Sequence, residues 1–230
     1  PTRRSSDLSN IWIFAELMIV FVLAWVLTDY AFVMLHNKNI PQGFDTNDSY
    51  LVSFGVYDSE TSRYKPEESG EENIRENLQL FVRKINEYKD VEYADLTCLY
   101  WGSIPFSGGQ SRTLVTKYND IDSTETFAET KNVYSGDFFR IFRYTSVIDG
   151  SWERLASIDL SQNNSIFITR KVERELFKNE SAIGKTIIAD IGFGARNYVV
   201  ADVLNDQKRF DYRLPEGAVF GESPSVTTDN

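Results

Sequence analysis

The chain has 230 residues, 24 basic and 34 acidic side chains and a formal net charge of −10. That length suits one domain or one and a half, while 42% hydrophobic and 14% aromatic residues supply a core and exclude global disorder. The acidic balance carries no basic stripe and argues against nucleic acid as a partner; a single cysteine (Cys98) and a single histidine (His36) exclude a disulfide framework, a Cys-rich zinc site and most His-based chemistry.

Residues 1–8, PTRRSSDL, resemble the translation of a sequencing adapter and are set apart from the rest of the chain. Without Arg3 and Arg4 no basic residue precedes the apolar run that follows, so charge does not orient it. From 11 to 35 only Glu16 and Asp29 are charged. A helix of about 20 apolar residues crosses a bilayer, so 9–36 is expected to be a transmembrane helix. A cleaved signal peptide would carry a shorter apolar stretch ending in small residues, and 25–30 offers none. Trp12, Trp25 and Tyr30 sit where interfacial aromatics belong. Glu16 reads as a carboxylate near the headgroups or bonded to a neighbouring membrane helix, in preference to a proton relay.

Residues 37–214 form the expected soluble domain, which holds most of the acidity. The aromatic and β-branched run 50–57 predicts a strand, and 58–70 a loop. Ser69 and Glu72 have capping-box spacing ahead of a helix whose apolar stripe is Ile74, Leu78, Phe81, Val82 and Ile85. Acidic residues open that helix and Arg83, Lys84 and Lys89 close it, which complements its dipole. Next come a strand over 91–101, a loop over 102–109, strands over 112–118 and 125–134, and a short helix from Ser135 burying Phe138, Phe139 and Phe142. A strand at 165–169, a helix at 170–177 and a hairpin of 185–190 with 196–204 around Gly192 and Gly194 complete the pattern. Residues 215–230 are expected to be a polar tail. Strands outnumber helices without strict alternation, so the class is α+β: an N-terminal transmembrane helix followed by a mixed α/β domain.

No nucleophile elbow, Walker loop or zincin motif occurs, and no residue is nominated as catalytic, cofactor-binding or metal-binding. Gly192-Phe193-Gly194-Ala195-Arg196-Asn197 starts like a dinucleotide fingerprint but lacks the third glycine, and reads as a hairpin turn. Cys98 reads as a buried thiol, His36 as a solvated interfacial side chain, and Glu173 and Glu175 as a solvated helix face. The triplets at Asn47, Asn163 and Asn179 match the glycosylation pattern and are given no weight. The expectation is a chain that is not an enzyme and needs no cofactor.

The order of motifs carries a resemblance. Asp137-Phe138-Phe139 in a short helix, Gly150, the strand 165–169, Glu175-Leu176-Phe177, Ile183-Gly184-Lys185-Thr186-Ile187 and a closing strand 198–203 together resemble the periplasmic core domain of MacB-like, FtsX-type ABC transporter permeases, closest to those of Bacteroidota. Ala201-Asp202-Val203 departs from the Val-Gly-Val usual there. The resemblance implies a permease subunit of the inner membrane with its domain in the periplasm, working with a separate cytoplasmic ATP-binding subunit and a second permease copy or paralogue. It also implies three further membrane helices, so the chain is expected to be an N-terminal fragment. The alternative is the membrane-anchored, ligand-binding sensor domain of a signalling receptor.

Overall fold

The computed structural model describes residues 3–52, 57, 59–66, 70–97, 104–105, 111–119, 124–192, 194–210 and 212–222. They fall into two units. One holds the chain up to Pro41 together with Phe210–Leu214; the other holds Gln42–Arg209 and the chain from Pro215 onward.

The first unit is built on helix α1, Arg3–Lys38. It contains neither Gly nor Pro, so nothing interrupts its backbone ladder. Every side chain from residue 10 to 36 is exposed, on all faces of the helix. Asn10–Lys38 is long and apolar enough to cross a membrane. At 1.5 Å per residue those 29 residues extend about 43 Å, beyond the ~30 Å of a hydrocarbon core. The last turn tightens where Asn39 N–H donates to both Leu35 O and His36 O, 3.3 and 3.1 Å away.

The second unit is a mixed α/β domain around six strands: β1 (Arg112–Lys117), β2 (Glu125–Val133), β3 (Ser165–Thr169), β4 (Thr186–Ala189), β5 (Arg196–Leu204) and β6 (Ala218–Glu222). They close into a barrel in the order β1-β2-β6-β3-β5-β4. β2–β6 and β3–β5 run parallel and the other four pairs antiparallel. Closure gives each of the six described strands a partner on both sides, which limits a route to aggregation. Alternation sends one side-chain set inward, among them Val115, Ala128, Ile166, Ile168, Ile187, Val200 and Val219. Helix α5 (Arg170–Phe177) adds Val172, Leu176 and Phe177 to that core. A second core lies outside the barrel. There α3 (Asp137–Phe142) and α4 (Glu153–Ser157) bury Phe138, Phe139, Phe142 and Leu155 against Phe167, Leu204 and Phe220.

The α+β expectation holds, and β1 to β5, α3 and α5 fall within two residues of their expected positions. Gly184, at φ 78°, makes the reversal into β4 expected of the Ile-Gly-Lys segment. Four expectations are corrected. The 215–230 stretch is not all tail: Ala218–Glu222 is the strand that closes the barrel, and residues 218–221 of it are buried. Residues 93–97 are irregular rather than strand, while 98–101 lie outside the described residues, as does Cys98. Tyr50–Val52 are exposed and unpaired with any strand, and residues 53–56 and 58 are again outside. Finally α2, Glu71–Asn86, starts from Gly70 with no side-chain cap; Ser69 lies outside the described residues. Its stripe is only half-buried, with Phe81 exposed. Most of the expected 102–109 loop is also outside, but Ile104 is fully buried in the second core.

Candidate functional site

The densest polar cluster of the domain is built on β2. Alternation sends Ala128 into the barrel and Glu129 and Lys131 to its outer side, where Gln207, Arg209 and the Gly217 backbone meet Glu129. Lys131 Nζ lies 3.2 Å from Glu129 Oε2. Gln207 donates Nε2 to the same oxygen at 2.9 Å, and Tyr144 OH donates to Gln207 Oε1 at 3.0 Å. Arg209 stands 4.0 Å from Glu129 Oε1, and Arg112 pairs with Glu216 at 2.6 Å. Burial pushes the Lys131 pKa down, with the Glu129 charge pulling the other way. Burial, helped by Glu129, holds the Tyr144 phenol well above its ordinary value. Tyr144 is fully buried. The cluster's work is to bolt β2 to the returning chain ahead of β6, with each charge compensated inside the fold.

A second buried centre sits on β5. Asp202 is inaccessible; its Oδ1 accepts from Ser146 Oγ at 2.9 Å and its Oδ2 from Arg154 Nε at 2.5 Å. The pairing raises the Arg154 pKa, chiefly through the hydrogen bond and then the charge of Asp202. The departure from Val-Gly-Val at 201–203 thus has a physical partner set on α4 and the loop before it. Asp206 similarly accepts from the Lys171 backbone N–H at 2.5 Å and from Arg174 at 2.7 Å, which satisfies the start of α5.

A small groove is lined by residues 133–136, Phe139, residues 158–160 and Glu222. Burial raises the Glu222 pKa, and nearby Asp159 adds to the effect. Next to α3 lies Asp95, whose pKa burial raises to about 6. Among the described residues, no three His, Cys, Asp or Glu side chains are placed to share a metal ion.

The residues singled out from the sequence do not converge. Glu16 and His36 are exposed along α1. Gly192 and Gly194 take positive φ, both donate to Asp190 Oδ1, and a strand follows rather than a helix; the hairpin reading stands. The solvated reading holds for Glu175, which is exposed, while Glu173 is half-buried. Glu173 Oε1 accepts from Ala182 N–H at 2.9 Å, and Glu175 accepts from the Thr126 hydroxyl on β2. Both tie α5 to its surroundings. The Glu129 cluster was not visible in advance, because its members are up to 104 residues apart.

No family model matches the chain, and no curated protein matches it. Two solved structures are similar in part. One is the extracellular domain of the noncanonic ABC-type transporter YknZ from Gram-positive bacteria, at 15% identity and TM-score 0.35, covering 49% of this chain and 50% of that one. Another is the periplasmic region of MacB from Actinobacillus actinomycetemcomitans, at 14% identity and TM-score 0.30, covering 49% and 44%. The chain therefore spans about half the length of each domain it matches.

Proposed function

We propose that the chain is part of the permease subunit of an ABC transporter of the MacB and FtsX type. In this reading α1 lies in the inner membrane, and the barrel domain stands in the periplasm and passes on ATP-driven motion without catalysing a reaction. One observation carries the membrane half of the proposal: within α1 the 29-residue span Asn10–Lys38 is apolar enough to cross a membrane, and every side chain from 10 to 36 is exposed. Lipid or neighbouring membrane helices satisfy such a surface, whereas water does not. The permease half rests on the order of sequence motifs. Its support is that they occupy consecutive structural places: the two rings of Phe138 and Phe139 buried behind β3 and β6, the turn at Gly184, and the parallel β3–β5 pair. The partners implied are a cytoplasmic ATP-binding subunit and a second permease copy or paralogue.

The adjoining coding sequence tests the proposal. Three further apolar runs of about 20 residues are expected downstream. One further run followed by a cytoplasmic kinase region would overturn it in favour of a receptor.

A further inference from the structure

The chain segment Phe210–Leu214 is separated by more than 170 residues from α1 and yet belongs to the same structural unit. Its contact with the helix is specific. Asn37, buried in the last turn of α1, donates Nδ2 to the backbone carbonyl of Tyr212 at 2.8 Å. The segment is thereby held level with the end of the apolar run. Its side chains have the chemistry of a bilayer surface. Phe210 and Tyr212 stack with centroids 5.5 Å apart and an 18° interplanar angle. The Arg213 guanidinium lies 5.5 Å and 5.9 Å from those two ring centres. Tyr212 and Leu214 are exposed, at 51% and 61%. Aromatic rings with a polar tip settle at headgroup level, and an arginine there reaches lipid phosphate while its stem stays on apolar surface.

We propose that Phe210 and Tyr212–Leu214 form an interfacial lipid anchor, in which Tyr212 and Leu214 enter the headgroup layer and Arg213 meets a lipid phosphate. The occupant follows from continuity: the loop is fastened to the point where the apolar helix ends. The inference rests on the reading of α1 as a membrane helix, and its test separates the two. Nitroxide labels are placed singly at Leu23→Cys and Leu214→Cys in a Cys98→Ser chain. The chain is reconstituted in vesicles of mixed phosphatidylcholine and phosphatidylglycerol, and depth is read from collisions with oxygen and with a nickel chelate. The expected result is a hydrocarbon depth at 23 and a headgroup depth at 214. Hydrocarbon depth at 23 with bulk-water exposure at 214 overturns the anchor and leaves the membrane helix standing; water exposure at 23 removes both. Because a nitroxide is itself apolar, the label at 214 is also measured with Tyr212→Ser and Arg213→Gln. The label is expected to shift outward into water, and an unchanged depth overturns the anchor.

Discussion

Asp95 occupies surroundings that oppose its charge. Its Oδ1 accepts from Leu96 N–H at 2.8 Å, but Oδ2 is buried with no partner among the described residues, and the Asp137 carboxylate adds repulsion. Burial is the largest cause of a pKa raised from 3.8 to about 6. The folded state therefore holds this proton more tightly than the unfolded one. Its contribution to stability is fully present below pH 3.8 and is lost as pH rises through about 6. A shift of about two units corresponds to about 3 kcal/mol at most. Urea unfolding of the full chain in micelles at pH 5 and pH 7.5 is expected to show this group's share falling with pH, and Asp95→Asn should remove that component. A pH dependence equal in both proteins would contradict the assignment. The Arg154–Asp202 pair gives an asymmetric prediction. Arg154→Ala leaves a fully buried carboxylate short of its cation, whereas Asp202→Ala leaves a partly exposed guanidinium that reaches water. Arg154→Ala should thus cost more, about 3 kcal/mol against about 2, and the double variant should be more stable than Arg154→Ala alone. Equal single costs that add in the double variant would sink this account. Nothing local at Asp202 announces the pair, because its partners lie 48 and 56 residues away.

At the level of elements, α3 and α4 meet at a backbone contact. A Cβ built on Gly136 would stand 2.4 Å from the Ala156 carbonyl oxygen, while Gly136 itself has φ −64°. Alanine suits that φ, so backbone preference and steric conflict point in opposite directions here. Gly136→Ala is expected to destabilise by about 1–3 kcal/mol through separation of the two helices; a neutral or stabilising result in thermal unfolding would show that the helices part freely. Legibility follows the same division between local and distant causes. α3 and α5 were readable because their apolar residues repeat at helical spacing and fill the cores directly. α4 went unread, since five residues are too few to display a period. The α2 stripe was readable as a pattern, but its half-buried state depends on what surrounds it, which periodicity does not encode. The capping box expected there rests on Ser69, which lies outside the described residues; an extended Gly70 precedes the first turn.

Across the whole domain, closure is a property of the assembled sheet and not of any one segment. β6 contains only five residues, one of them Gly221, and is followed by a polar sequence, so in isolation it reads as part of a tail. In the barrel it pairs with β2 on one side and β3 on the other. Val219 points into the barrel core and Phe220 into the outer core, both with no exposure. A Cβ on Gly221 would lie 2.5 Å from Ile191 Cδ1, so a larger residue there has to turn the end of that side chain aside. Burying Val219 and Phe220 contributes about 3–6 kcal/mol together. Losing the strand also strands the ladder groups of β2 and β3, and the net stability of a domain is only about 5–15 kcal/mol. A chain ended after Leu214 is therefore expected to lose cooperative unfolding and near-ultraviolet dichroism. One ended after Glu222 should keep both, because it retains all six strands of the closed sheet. If the shorter chain retained a sharp transition at the same temperature, the barrel would not depend on β6, and the two cores would have to be held by α3, α5 and the remaining five strands.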